Sequence, residues 1–333
     1  MKRISCLVLI ALFAVFTLFL SPALSKTIKV GLVTDVGTID DKTFNEFAYK
    51  GMNRAAKDFD LTTAFIETQQ PTDYDKNIGQ FINEGYDVVV TVGFMLGDAT
   101  KRMAERYPDK KFIIVDFAYN PTVKNIIGLV FAENESGFMA GALAGLMTKS
   151  NTIGIVGGME IPPVIKFRIG YEAGAKYVNP NCEVLGVYID SFVDPARGKT
   201  AALSQMEEGA DVIFGAGGLT GTGGIQGAAA EGTWVIGVDQ DEYDTSFKGG
   251  KVKGSEKLIS SAMKRVDNAV YQSLQMVVEG KFKGGVKVFD ITNAGIGLAP
   301  FHEAENKIPA SVKERLKAIE KDLKAGKIKV PSL

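Results

Sequence analysis

Short runs of aliphatic and β-branched residues alternate along the chain with helix-length amphipathic segments. Residues 27–34, 62–67, 88–92 and 111–115 read as strands, and 45–59, 75–84 and 98–107 as the helices between them. Apolar strands separated by helices form βαβ units, in which the crossover helix makes neighbouring strands parallel. The pattern restarts with strands at 151–157, 184–189, 212–214 and 233–238 and helices at 164–177, 198–208 and 223–231, which predicts a second parallel sheet of similar size. A strand at 125–131 and a helix at 136–148 join the halves where a Pro/Gly/Ser linker would otherwise stand. The expected fold class is therefore α/β, with two packed lobes sharing a hinge. A long helix at 256–279 and a charged helix at 310–324 complete the pattern.

In open α/β sheets a ligand sits beyond the carboxyl ends of the strands, so a cleft between two such sheets draws on strand ends from both. Here those ends are polar: Thr34-Asp35 follows the first strand, Asp116-Phe117 the fourth, and Asp239 the strand at 233–238. An Asp after one strand is as readily a cap for the next helix. Three in equivalent positions point to a shared site.

The first 25 residues carry a different pattern. Lys2 and Arg3 precede an apolar stretch from Leu7 to Leu20, and small residues follow at Ala23-Leu24-Ser25. An apolar run of about 14 residues falls short of the roughly 20 a spanning helix needs, so residues 1–25 read as a cleaved secretory signal, with a retained anchor as the alternative. Cys6 lies before the apolar run, where it cannot be the lipid-modified residue of a lipoprotein signal. A free exported protein is expected, in the periplasm. After cleavage only Cys182 remains, so no internal disulfide is expected.

The 333 residues include 38 Lys+Arg, 39 Asp+Glu and one His, with 46% hydrophobic residues. Removing Lys2 and Arg3 leaves 36 basic residues against 39 acidic ones, a net charge of about −3. That balance argues against nucleic acid as a partner, because phosphate binding needs clustered cationic surface. One His and one remaining Cys leave no metal-ligand cluster, and no cofactor is expected. The Gly-dense stretch 215–227 contains no GxGxxG, and at Gly198-Lys199-Thr200 the position of a P-loop's first Gly is Val193. The stretch still suits close backbone approach to a small ligand, or tight strand-to-helix packing. No GxSxG is present, and His302 stands alone in a Pro-flanked segment. An enzyme is not expected.

Several stretches together resemble the basic membrane protein family, the purine-nucleoside-binding proteins of ABC importers. They are Gly31-Leu-Val-Thr-Asp-Val-Gly-Thr-Ile-Asp-Asp-Lys-Thr-Phe-Asn-Glu-Phe-Ala-Tyr-Lys-Gly51, the segment from Gly157 to Ala175, Gly215 to Gly224, Val235-Ile-Gly-Val-Asp-Gln-Asp241 and Ser261-Ala-Met-Lys-Arg-Val266. The resemblance runs in order through the whole chain after residue 25. It implies the type I periplasmic-binding-protein fold, two parallel-sheet lobes joined by a three-segment hinge. The first lobe would comprise residues 26–131 and about 243–288, the second about 132–242 and 289–333. Many members of the family are lipoproteins, whereas this leader has no Cys at its end.

The resemblance also implies ligand residues: Asp35, Phe44, Asn45 and Asp116 from the first lobe, Phe192, Gly218 and Asp239 from the second, and Lys264 from the long helix. Two Phe rings from different lobes would sandwich a purine, each contributing roughly 1–3 kcal/mol of stacking. Asp35 and Asp116 would accept N–H donors of the base edge, Asp239 would accept ribose hydroxyls, and Lys264 would donate to ribose oxygens. Without the resemblance, Phe44 reads more readily as core and Lys264 as a solvated surface charge, and Asp41 and Asp241 compete with their neighbours. Whether the loop through Pro162-Pro163 to Lys166 touches ligand is open. The expected ligand is adenosine, guanosine or inosine, and the expected partner an ABC permease in the inner membrane, met by a monomer. A free purine base, another flat heteroaromatic, or a sensory role fits the same pattern. Trp234, in the strand leading to Asp239, is a candidate reporter of lobe closure.

Overall fold

A computed structural model describes residues 27–333, so the predicted signal segment lies outside the described residues. The first sheet begins with β1 (Lys29–Val36), α1 (Phe44–Phe59), β2 (Thr62–Thr68), α2 (Tyr74–Asn83), β3 (Val88–Val92), α3 (Gly97–Arg106), β4 (Lys111–Val115) and β5 (Ile126–Phe131). The chain then enters the second sheet through α4 (Glu133–Met147), β6 (Thr152–Gly157), α5 (Pro162–Val178), β7 (Glu183–Tyr188), α6 (Pro195–Glu207), β8 (Val212–Ala216), α7 (Gly218–Ala230), β9 (Trp234–Asp239) and β10 (Leu258–Lys264). It returns through α8 (Val266–Val278) to β11 (Gly285–Phe289) and crosses back to β12 (Ile296–Leu298) and α9 (Ala310–Lys324). The sheets run β11-β5-β4-β3-β1-β2 and β12-β10-β9-β8-β6-β7, parallel except where β12 pairs antiparallel with β10.

The expected pair of parallel α/β lobes is thus present, with one element corrected. The predicted helix over 256–279 is a strand, β10, followed by α8. β10 is buried on both faces, so it lacks the alternation that marks a half-exposed strand. Only Arg265 separates it from α8, with no Gly or Pro to punctuate the change. Ser260 and Ser261, which lower the strand's apolar signal, are buried and bonded: Ser260 Oγ donates to the Ala299 carbonyl (2.8 Å), and Ser261 Oγ accepts from the Glu242 amide (3.1 Å). The predicted lobe boundary near 242/243 moves accordingly, because β10 pairs with β9 in the second sheet. The chain crosses between sheets after Phe131, after Lys264 and after Phe289. The short edge strands β11 and β12, absent from the expected elements, lie beside the third crossing.

The second lobe is built around α4, which is buried nearly all round. That burial explains a helix without amphipathic periodicity. Gly137 and Gly141 face the backbone of α5, where an added Cβ would lie 2.2 Å from the Phe167 carbonyl oxygen and 2.0 Å from that of Tyr171. α8 docks on α1 in the same way at Gly51, which faces the Asp267 carbonyl.

Candidate functional site

The carboxyl ends of the two sheets enclose one cavity, about 680 Å³ with its mouth included. β1 brings Asp35 to it, β4 ends just before Asp116, β9 ends in Asp239 and β10 ends in Lys264. The first turn of α1 adds Phe44 and Asn45, the segment after β7 adds Phe192, and Gly217-Gly218 at the start of α7 completes the wall. Every residue implied by the resemblance lines this space. Asp116 and Asp239 adopt left-handed backbone (φ 69° and 64°), which turns each chain sharply at the end of its strand.

Asp35 is nearly buried and held from one side. Tyr74 donates its hydroxyl to Oδ1, and the Val36 amide donates to the same oxygen (2.6 Å). Burial raises the carboxyl's pKa, with the Tyr74 and backbone hydrogen bonds opposing. Gly93, at the end of β3, has φ +128°, and a Cβ there would lie 2.6 Å from Asp35 Oδ2. Gly93→Ala should therefore push Asp35 aside and strain the backbone, a cost on the order of 1–3 kcal/mol. A fall in melting temperature together with weakened ligand binding is expected; unchanged values for both would show that Asp35 does not depend on this gap.

Asp41, the competitor of Asp35, is a helix cap. Its carboxylate accepts from the amides of Thr43 (3.0 Å), Asn45 (2.8 Å) and Glu46 (3.1 Å), while burial lifts its pKa to about 6. The cap fixes the turn that presents Phe44 and Asn45. Asn45 is buried, and its Oδ1 has no partner.

Lys264 is 1% exposed. Its Nζ donates to Asp116 Oδ2 (2.6 Å) and lies 2.9 Å from Glu133 Oε1, while Glu133 Oε2 pairs with Lys166 Nζ at 3.1 Å. Nζ also stands 5.0 Å from the Phe44 ring centre and 5.1 Å from that of Phe131. Burial alone would depress the ammonium's pKa, but Asp116, Glu133 and Asp239 together raise it. Burial also raises Asp116, to about 6, against the pull of Lys264. Two cations and two carboxylates thus balance in a chain that is buried except at Lys166, whose side chain is 25% exposed. The second carboxylate oxygen of Asp116, Oδ1, has no partner.

Asp239 has no hydrogen bond to its carboxyl among the described residues, and burial lifts it to about 8, with Lys264 opposing and Asp116, Asp41 and Glu242 adding. Its competitor Asp241 lies outside the cavity lining and pairs with His302 Nε2 at 2.6 Å. His302 stacks on Tyr243, with ring centres 4.1 Å apart, also outside the cavity. Trp234 occupies the opposite end of β9 from Asp239, about 16 Å away at 3.3 Å per residue. It is therefore a poor reporter of the cleft. Of the glycine-dense stretch, Ala216, Gly217 and Gly218 line the cavity. Gly223 and Gly227 pack α7 against Pro195 and Lys199 of α6.

Sequence reasoning missed Gly93 and Phe94 at the end of β3, and Ile161, Pro163, Val164 and Phe167 around the start of α5, all of which line the cavity. The rule that strand ends face the ligand would have found the first pair. The second group carries no polar signal, and its placement depends on the Pro162-Pro163 entry to α5. Lys166, left open from sequence, reaches Glu133 and the Phe131 carbonyl (3.3 Å) without lining this cavity.

The chain matches, over residues 28–333, the family model Bmp, described as ABC transporter substrate-binding protein PnrA-like. It is 34% identical to the ABC transporter nucleoside-binding protein BmpA of Lactococcus lactis, over 92% of this chain and 89% of that one. An uncharacterised lipoprotein of Pyrococcus abyssi is 31% identical over 82% of this chain and 69% of its own. A crystal structure of an ABC transporter solute-binding protein from Aeropyrum pernix superposes with a TM-score of 0.81 at 28% identity, covering 91% of this chain and 94% of that one. Among the described residues no helix is long and apolar enough to cross a membrane. The chain belongs to the Bmp family of PnrA-like substrate-binding proteins, extracytoplasmic components of ABC transporters with a non-enzymatic role.

Proposed function

We propose that this protein captures a purine nucleoside in the cavity and delivers it, as a monomer, to the permease of an ABC importer. The observation that carries this reading is the lining itself: Phe rings from both lobes, Phe44 and Phe94 from the first and Phe167 and Phe192 from the second, with polar acceptors around them. Among those acceptors Asn45 Oδ1 and Asp116 Oδ1 are buried and unpartnered. A flat aromatic ligand rich in N–H and O–H donors satisfies both features. In this arrangement the rings hold the base, and Asp35 and Asn45 accept from its edge. Asp239, Lys264 and the Gly218 backbone hold the ribose. Asp116 is assigned here to the sugar rather than to the base edge, a reading supported by its 2.6 Å contact with Lys264. The nucleoside-binding name of the Lactococcus relative supports the same ligand class.

A thermal-shift series tests it. A ligand at one hundred times its dissociation constant stabilises by about 2.7 kcal/mol, which is several degrees in melting temperature for a protein of this size. Adenosine, guanosine or inosine is expected to produce that shift. A shift with a sugar or an amino acid, and none with any nucleoside or base, would reject the reading. Incubation with inosine is expected to release no hypoxanthine. We also propose that the mature protein is free in the periplasm. Mass spectrometry of the exported chain should give an unmodified N-terminus near residue 26, and a diacylglyceryl adduct would refute this.

A further inference from the structure

The loop that follows Asp239 reaches across the cleft to the other lobe. Gln240, almost fully buried, donates from Nε2 to the Thr43 carbonyl (3.1 Å) and accepts at Oε1 from Lys50 Nζ (2.9 Å). Farther along, the Thr245 hydroxyl donates to the Lys42 carbonyl (2.9 Å). Both carbonyls belong to the turn that enters α1, where Phe44 and Asn45 begin the cavity wall. Neither Gln240 nor Thr245 lines the cavity. Hydrogen bonds between the lobes thus stand beside the ligand space without touching it.

Both sides of this contact are held rigid by their own lobe. On the α1 side Asp41 caps the turn, and Lys50 is paired with Glu46 (2.8 Å). On the opposite side the Glu242 carboxylate accepts from the Val238 amide (3.0 Å) and the Thr222 hydroxyl (2.8 Å). Asp241, bonded to His302, and Tyr243, stacked on the same imidazole, tie the loop to the segment after β12. This gives the chain's single histidine a buttressing place. Partners ordered beforehand lose little freedom when they meet, so more of each bond's strength remains available to closure.

We infer that Gln240 and Thr245 are positioning residues that latch the lobes together over the bound ligand and set its residence time. Their bonds to Lys42, Thr43 and Lys50 span the lobes, so they favour the closed state over an open one, and a bias between two states is what changes apparent affinity. The latch deepens the proposed nucleoside capture and rests on it only for the choice of probe. The losses are expected mainly in dissociation, where interface changes generally act.

Two measurements test the latch on the full mature chain. In stopped-flow release of adenosine, guanosine and inosine, Gln240→Leu, which removes two bonds, is expected to speed dissociation about tenfold, and Thr245→Val severalfold. Thr245→Ser, which keeps the hydroxyl, should release at the wild-type rate, and this pair separates a lost bond from a disturbed fold. Small-angle scattering of the ligand-free protein reads lobe opening with no nucleoside present. The double variant Gln240→Leu/Thr245→Val is expected to show a larger radius of gyration than wild type. Dissociation and scattering both unchanged in the double variant would overturn the latch. Failure of wild type to bind any nucleoside would instead overturn the ligand assignment, leaving the scattering comparison to decide the latch.

Discussion

Replacing Lys264 with Met should destabilise the protein by about 3–5 kcal/mol, the usual cost of removing one partner from a buried ion pair. The side chain is 1% exposed and its Nζ lies 2.6 Å from Asp116 and 2.9 Å from Glu133. With the ammonium gone, those carboxylates would face each other in a space that desolvates both. The penalty comes from the stranded charges more than from the lost attraction. Lys264→Met combined with Asp116→Asn and Glu133→Gln should therefore recover much of the stability in denaturant unfolding, although ligand binding should stay lost. A single variant within 1 kcal/mol of wild type would mean that water reaches this cluster and that its pairing contributes little.

Asp239→Asn should have opposite effects on stability and on binding. A carboxyl lifted to about 8 in the folded protein holds its proton more tightly there than in the unfolded chain, where the ordinary value is near 4. The folded state then binds more protons between those limits, and stability falls as pH rises through the window. The unliganded protein should be more stable at pH 6 than at pH 8.5, a trend shared by Glu242, which burial lifts to about 7. Asp239→Asn should flatten part of that trend and raise the melting temperature at pH 8.5. Binding should suffer instead. Charge-assisted hydrogen bonds to ribose hydroxyls contribute about 1.5–3 kcal/mol, so nucleoside affinity should drop roughly 10- to 150-fold. Titration calorimetry in two buffers of different ionisation enthalpy should show proton release on binding at pH 7 for wild type and less for the variant. Equal affinity of both proteins for a nucleoside would remove the ribose from the reading and favour a free base.

The parallel lobes were legible because their strands are short β-branched runs separated by helix-length amphipathic segments, a signal set by local chemistry. The strand-end carboxylates were legible for the same reason: Asp116 and Asp239 directly follow apolar runs, and only Thr34 stands between Asp35 and another. Lys264 was placed in the site by resemblance and on the wrong element by periodicity. A strand buried on both faces carries no alternation, and its single-residue junction with α8 hides the change of element. Glu133 stayed out of sight, and the place of Lys166 stayed open, for another reason. Their importance comes from lying across a crossing from Lys264, and separation along the chain gives no sign of that. The choice between Asp239 and Asp241 also needed coordinates, since of two residues in one turn the first lines the cavity and the second pairs with His302.

Cys182 is the one cysteine among the described residues; it is buried, and burial pushes its thiol up, which keeps it unreactive. Val193, by contrast, lies on the rim of the cavity and is 48% exposed. A cysteine introduced at Val193 would be the accessible thiol of the mature chain, and a fluorophore attached there would move from water to a closing protein surface as the lobes meet. Trp234, remote from the cleft, would add little interfering signal. The same scarcity of reactive groups that suits the protein to carry its cargo unchanged makes it a ready scaffold for a reagentless optical sensor.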